Sequence, residues 1–227
     1  MSVKSSLTAA GQRGLSLVEL MVGISVGLFV LSGATLLVST QLGDNRRLLL
    51  ETQLQQDLRA TMDIITRELR RAGVYPGVSV NLVWQPGFAQ ATPNPLAGIT
   101  ISDDASEVVF RYRRGGAEGP YGFRWADGRI RSLLGGAWQE LTDRSAMNVT
   151  DFSVTEENAF VEQLPCPRIC TDGTTSCWPT LTVRTYTVNL TAQSASDPAL
   201  TRSQTSRVRV RNDVVGFNNG GGAICPA

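Results

Sequence analysis

One stretch of the chain, residues 20–38, constrains its fold more than any other. It is apolar or small throughout, apart from two serines and one threonine. As a helix that rises about 1.5 Å per residue, it is long enough to cross the roughly 30 Å hydrocarbon core of a bilayer. Lys4 and Arg13 precede the stretch. These cations predict a cytoplasmic N-terminus, with the remainder of the chain on the far side of the membrane.

A single carboxylate, Glu19, borders this stretch. At mid-bilayer a charged side chain costs about 2–3 kcal/mol, so Glu19 needs either a partner or a place among the lipid headgroups. The apolar run is also longer than the core of a secretory signal peptide, and no small-x-small cleavage site follows it. We therefore expect a retained anchor, and a plain signal anchor is one interpretation of it.

The pattern then changes to that of a helix with one apolar face, without an intervening proline. The apolar residues of this face are spaced by three or four positions: Leu54, Leu58, Met62, Ile65, Leu69 and Ala72. This spacing predicts a helix that packs on a sheet. Arg70 and Arg71 suit the negative end of a helix, and Gly73 predicts its stop. We thus expect one long helix over residues 14–72.

The remainder of the chain favours β-structure. A connecting loop rich in Gly, Pro and Asn is expected over residues 73–98, with Trp84 and Phe88 as its tethers. Period-two patterns then predict strands over residues 108–113, 121–125, 129–134, 138–141, 149–155, 159–164, 181–190 and 206–211. Asp127-Gly128 predicts a hairpin turn. One helix followed by antiparallel strands predicts an α+β fold in which the sheet covers the apolar helix face.

Four cysteines, Cys166, Cys170, Cys177 and Cys225, lie in the C-terminal third. In an exported chain they predict two disulfides, for which three connectivities are possible. A zinc site of four thiolates is the alternative. The spacing matches no common zinc pattern, so disulfides are the favoured interpretation.

The sequence gives little support to catalysis. It has no histidine and a formal net charge of +1, which weakens imidazole chemistry, metal ligation and nucleic-acid binding as functions. The charged clusters that could form a site are two acidic pairs and one basic row: Asp103 with Asp104, Glu156 with Glu157, and Arg207 with Arg209 and Arg211. Such groups in loops and on strand faces are more often simply solvated. We expect no enzyme, no metal and no cofactor.

Residues 13–19, Arg-Gly-Leu-Ser-Leu-Val-Glu, resemble the cleavage and methylation motif of type IV prepilins and type II secretion pseudopilins. The resemblance implies that prepilin peptidase cuts between Gly14 and Leu15 and that Leu15 is then methylated. It also implies that Glu19, now the fifth residue, neutralises the N-terminal amine of a neighbouring subunit. The family's usual phenylalanine is replaced by Leu15, and Leu36 stands where major pilins carry a kinking proline, which favours a minor subunit.

The order of parts also resembles a pilin, and residues 69–73 followed by Tyr-Pro-Gly are similar to PilW-type minor pilins. The resemblance implies a leader over 1–14, a transmembrane and assembly helix over 15–43, an amphipathic helix over 44–72 and a pilin-like head over 73–227. It implies an inner-membrane subunit with a periplasmic head, later part of an extracellular pilus. Its partners would be other pilins and minor pilins and, at the tip, an adhesin. The alternatives are a J-type minor pseudopilin of type II secretion and a signal-anchored exported binding protein.

Overall fold

The computed structural model describes residues 14, 16–75, 94–216 and 225. They form one helix, α1 (Leu17–Arg70), followed by strands. The strands are β1 (Ile99–Ile101), β2 (Glu107–Arg111), β3 (Pro120–Ala126), β4 (Arg129–Leu134), β5 (Ala137–Glu140), β6 (Met147–Glu156), β7 (Phe160–Gln163), β8 (Thr180–Val183), β9 (Thr185–Ser194), β10 (Thr201–Arg209) and β11 (Val214–Gly216). The chain divides into two compact units, Met1–Leu49 and Leu50–Ala227, and α1 contributes to both.

In the first unit α1 has no buried side chain from Leu17 to Leu49. It contains an 18-residue stretch that is long and apolar enough to cross a membrane, and none of that stretch is buried within the protein. Its hydroxyl groups donate to backbone carbonyl oxygens one turn earlier, as Ser25 does to Met21 and Thr35 does to Leu31, both at 2.8 Å. These bonds satisfy the polar atoms internally, which an apolar environment requires.

In the second unit the same helix buries the face that the spacing predicted. Leu54, Leu58, Met62, Ile65 and Leu69 are 0–2% exposed. The predicted C-terminus is also confirmed, because α1 ends at Arg70 and Gly73 follows with a φ of +78°. The Gly73 amide donates to the carbonyl oxygen of Arg111 at 2.8 Å, which ties the helix end to β2. The apolar helix face is thus the spine of the folded head.

The strands pair antiparallel in three sheets, in the orders β1-β2-β3-β4-β5, β10-β9-β6 and β11-β8-β7. The first two sheets and α1 share one core cluster, to which the strands contribute Val108, Phe110, Phe123, Ile130, Met147, Val149, Phe152, Val154, Tyr186, Val188, Leu190, Ala192 and Val208. Each large apolar side chain buried there contributes about 1.5–3 kcal/mol relative to exposure. The expected α+β fold, with antiparallel strands against the helix, is confirmed.

The structure corrects the strand expected over residues 181–190. The chain leaves β8 of the third sheet and enters β9 of the second sheet at Arg184. The Arg184 guanidinium is buried and its Nη1 donates to the Ala97 carbonyl oxygen at 2.7 Å. A period-two pattern reports which side chains share a face and not which sheet a strand joins, so the sequence could not reveal this change.

The sequence analysis also placed the start of one strand too late and missed two short strands. The strand expected over 206–211 begins earlier, as β10 from Thr201, and the three-residue strands β1 and β11 were not predicted. Three residues are too few to show a periodicity. Most of the loop expected over 73–98, including Trp84 and Phe88, lies outside the described residues.

Candidate functional site

The N-terminal end of α1 is built by a helix cap. The first helical hydrogen bond joins the Leu20 amide to the Ser16 carbonyl oxygen at 3.1 Å, and the Ser16 Oγ accepts from the Glu19 amide at 3.5 Å. Ser16 is therefore the N-cap residue, and Glu19 lies in the first turn. The sequence Ser16-Leu17-Val18-Glu19 has the capping-box form, in which a serine and a glutamate three residues later satisfy exposed amides at a helix start.

The position of Glu19 in the first turn of α1 stabilises its carboxylate. The first turn of a helix carries a partial positive charge, because its amides lack intrahelical partners. A carboxylate there is stabilised by the helix itself. Sequence reasoning predicted Glu19 as the unusual charge but missed the cap, although the serine three residues before it was a sufficient signal.

Gly14 directly precedes this cap. It is exposed, and no heavy atom lies within 4 Å of the place where a Cβ would stand. Leu15 lies outside the described residues. Gly14 thus lies before the first regular hydrogen bond of α1, which the Leu20 amide makes to Ser16.

The apolar surface that follows is extensive. Its large side chains are more than half exposed, and Phe29 reaches 80%. The surface consists of Leu17, Val18, Leu20, Met21, Val22, Ile24, Val26, Leu28, Phe29, Val30, Leu31, Leu36, Leu37, Val38, Leu42, Leu48 and Leu49. A contiguous apolar surface of this kind marks contact with lipid or with other protein.

In the head, the cysteines form two disulfides, Cys166–Cys225 and Cys170–Cys177. The pairing selects one of the three connectivities that the sequence left open. It also leaves no four-thiolate set for zinc. Among the described residues no group of three or more metal-ligating side chains is close enough to hold a metal ion.

Three of the four carboxyls in the acidic pairs accept hydrogen bonds from nearby hydroxyls. Asp104 accepts from the Ser102 and Ser106 hydroxyls, and these hydrogen bonds lower the pKa of its carboxyl. Glu156 accepts from the Tyr186 hydroxyl at 3.2 Å. A hydrogen bond from Thr187 lowers the pKa of the Glu157 carboxyl. These carboxyls cap turns and support strands.

The basic row is engaged in ion pairs. Arg207 pairs with Glu157, and Arg209 pairs with Asp213 at 3.0 Å. The Arg211 backbone amide donates to the Arg70 carbonyl oxygen at 3.2 Å, which ties the chain after β10 to the end of α1. Two of the three guanidinium groups are thus paired with carboxylates of the same chain, which disfavours an anion site at this row.

One polar contact joins the helix to the first sheet. The Tyr112 hydroxyl donates to Glu68 of α1, and Arg71 donates to the same carboxylate at 3.0 Å. Burial, followed by the hydrogen bond to Glu68, raises the pKa of Tyr112 to about 12. Tyr112 also stacks on Tyr121 with ring centroids 4.1 Å apart. The contact holds the helix in register on the sheet and was not predicted from the sequence.

Comparisons with known families agree with this geometry. Residues 10–35 match the family described as prokaryotic N-terminal methylation motif, a range that includes Gly14, Leu15 and Glu19. Residues 47–210 match the family described as prepilin peptidase-dependent protein B. The chain belongs to the prepilin peptidase-dependent protein B family. It is a type IV pilin-like protein, and prepilin peptidase is its processing partner.

The two family matches cover different parts of the chain. The methylation motif covers the capped start of α1 and most of the apolar surface, and the longer match covers the spine and the sheets as far as the end of β10. The motif and the exposed apolar helix together indicate a membrane anchor. Neither the curated proteins nor the solved structures contain a match to the chain.

Proposed function

We propose that this protein is a minor pilin, processed by prepilin peptidase and incorporated into a type IV pilus, where it acts in the initiation of assembly or in a tip complex. The observation that carries the proposal is the start of α1, where an open glycine, a helix cap, a first-turn glutamate and an exposed apolar surface follow each other within one methylation motif.

The proposed cut lies between Gly14 and Leu15, and Leu15 then becomes the methylated N-terminus. Cleavage on this side of the apolar surface removes residues 1–14 and leaves the anchor intact. The apolar surface of α1 can serve both as a membrane anchor and as a contact surface between subunits. Residues 15–43 would first lie in lipid and would later pack against other subunits, since both environments are apolar.

Glu19 would set the register of assembly. After the cut, a new amine stands at Leu15, and a neighbouring subunit presents the same pair of groups. An ion pair between Glu19 of one subunit and the amine of the next is strong in an apolar filament interior, because the effective dielectric constant is low there. The cap at Ser16 would hold the Glu19 backbone ready for that contact.

The rest of the chain would form the periplasmic part of the subunit. We assign residues 44–72 to the amphipathic helix and 73–227 to the head, which carries both disulfides. In the assembled state the head would be extracellular. Its partners would be other pilins and minor pilins, and at the tip a large adhesin. The role is structural, and we propose no catalytic residue, metal or cofactor for it.

Intact mass of the exported protein, co-produced with prepilin peptidase, tests the processing step. We expect a chain that begins at methylated Leu15. Gly14→Val should block the cut, because a branched side chain then stands beside the scissile bond. Gly23→Val is the matched control, since Gly23 is also open within 4 Å and lies inside α1; it should be cut normally. A mature chain that begins at Met1 or beyond residue 38 would contradict the proposal.

A deletion strain separates the pilus from the closest alternative, a pseudopilin of type II secretion, which would share the same N-terminal segment. For a minor pilin, deletion should reduce the number of surface pili and leave protein secretion unchanged. Normal piliation with a loss of secretion would assign the protein to the secretion system.

A further inference from the structure

The third sheet, β11-β8-β7, stands apart from the core. Every residue of these three strands is partly or fully exposed, and none belongs to the core cluster. β7 forms an edge of this sheet, and all four of its residues are exposed. Phe160 is 62% exposed and Val161 is 56% exposed. Large apolar side chains therefore lie open on a strand at the margin of the head.

The free backbone groups and the side chains of β7 suit an added β-strand. β7 pairs with β8 on one side only, so the backbone N–H and C=O groups of its other side have no strand partner among the described residues. Side chains alternate along a strand, which places Phe160 and Glu162 on one face and Val161 and Gln163 on the other. An added strand would satisfy the backbone groups and cover an apolar side chain on each face.

Four of the five other sheet edges, β1, β6, β10 and β11, carry features that oppose strand addition. The fifth, β5, exposes no large apolar side chain, because Trp138 stacks against the Arg124 guanidinium. β10 carries Arg202, Arg207 and Arg209, and β1 and β11 have three residues each. In β6 the register shifts between Val149 and Asp151. Charges, short length and bulges are the means by which natural sheets prevent edge pairing. β7 pairs with β8 in an unbroken register and contains no proline, lysine or arginine.

The edge is also held in place before any partner arrives. Cys166, three residues beyond β7, is joined to Cys225. The second disulfide closes the loop from Cys170 to Cys177, and Gln163 binds Thr175 of that loop through two hydrogen bonds of 3.1 and 2.9 Å. A strand that is already ordered loses less conformational entropy when it binds.

We propose that β7 is a docking edge for an extended strand of a different protein, one that presents a lysine or arginine opposite Glu162. Glu162 is the single charge of β7, and it decides between the occupants. Pairing β7 antiparallel with a second copy through all four residues would set Glu162 opposite Val161 and Phe160 opposite Gln163, so neither carboxylate would gain a countercharge. A basic residue opposite Glu162 turns the same contact into a favourable one. The inference uses no residue of the N-terminal helix and does not depend on the minor-pilin function.

A synthetic peptide of alternating valine and threonine with a central lysine is the probe, and a peptide with glutamate in place of the lysine is its counterpart. Binding to the full-length protein in detergent is measured by fluorescence anisotropy. We expect the lysine peptide to bind better than the glutamate peptide. Phe160→Lys and Val161→Lys should each lower the affinity about tenfold or more, because a charged edge opposes strand addition.

Two variants make the test specific. Ile169→Lys is the matched control, since Ile169 is 61% exposed, lies between Cys166 and Cys170 and belongs to no strand. The affinity of this variant for the lysine peptide should be unchanged. Glu162→Lys should reverse the preference, so that the glutamate peptide binds better. Hydrogen exchange of the β7 amides should slow when the lysine peptide is bound.

Four results would overturn the proposal. They are the absence of lysine-peptide binding, an equal loss in Ile169→Lys, an unchanged preference in Glu162→Lys, and a concentration-dependent dimer that Val161→Lys abolishes. The last would assign the edge to a second copy. None of these results bears on cleavage at Gly14, so the minor-pilin function is tested separately.

Discussion

The two parts of α1 lie in opposite environments and differ in how their apolar residues are arranged around the helix. From Leu17 to Leu49 every described side chain is exposed, whereas Leu54, Leu58, Met62, Ile65 and Leu69 are almost fully buried. The difference lies in the pattern. In the first part apolar residues surround the helix, and in the second they form one face. A helix that is apolar all round needs lipid or other subunits, and a helix with one apolar face can complete its own domain.

The largest expected effect on stability is seen when one large apolar side chain is truncated to alanine in each part of α1. Ile65→Ala removes a side chain that is 0% exposed in the core, and we expect it to lower the free energy of unfolding of the head by about 3 kcal/mol. Leu28→Ala removes a side chain that is 61% exposed, and it should leave the head unchanged. Urea titration of the full-length protein in detergent measures both. An equal loss of unfolding free energy in both variants would contradict the difference between the two parts of α1.

The second part of the helix also holds a polar contact that depends on pH. The Tyr112 hydroxyl donates to Glu68, and burial followed by this hydrogen bond raises the pKa of Tyr112 to about 12. Burial raises the pKa of Tyr186 to about 12 as well. Because the pKa of each is higher in the folded protein than its ordinary value of 10, their contribution to stability is complete below pH 10. It is lost as the pH rises from 10 through 12.

Thermal denaturation at pH 9 and at pH 11 checks this expectation. The unmodified protein should lose stability between the two values, and the double variant Tyr112→Phe with Tyr186→Phe should lose less. Replacing Tyr121 by Phe is the control, since Tyr121 stacks on Tyr112 without sharing the Glu68 contact. An unchanged loss in the double variant would show that other groups control alkaline unfolding.

The smallest expected effect concerns the cap at the start of the first part. Ser16→Ala removes the oxygen that accepts from the Glu19 amide, and we expect a loss of about 1 kcal/mol, confined to the first turn. Ser25→Ala is the control, because the Ser25 hydroxyl donates to a carbonyl oxygen within the helix and caps nothing. Hydrogen exchange of the Glu19 and Leu20 amides, which bond to Ser16, should accelerate in the first variant only. Equal exchange rates in both variants would show that Ser16 is not the cap.

The sequence predicted those features that depend on local chemistry. The apolar face from Leu54 to Leu69 was confirmed because its spacing follows the helix period. The turn at Asp127-Gly128 was confirmed as the connection between β3 and β4, with both residues at positive φ. Gly128 has a φ of +72°, a backbone conformation that glycine adopts without the steric cost of a Cβ.

What the sequence could not predict depends on contacts between distant residues. The pairing of Cys166 with Cys225 spans 59 residues, and spacing alone does not choose a partner over that distance. The break at Arg184 occurs inside an uninterrupted alternating pattern, and the contact of Tyr112 with Glu68 joins elements 44 residues apart. At the N-terminus the residues of the motif were predicted from a resemblance, whereas the cap that orders them required the structure.

The incorporation of Glu19→Ala into pili tests the central claim most directly, namely that the exposed part of α1 is an assembly surface whose register Glu19 sets. Processing is measured by intact mass, and incorporation by the amount of the subunit in sheared pili. We expect normal processing and a strong loss of incorporation, with no loss in the control Asp44→Ala, which replaces an exposed carboxylate of the same unit. Normal incorporation of Glu19→Ala would contradict the account.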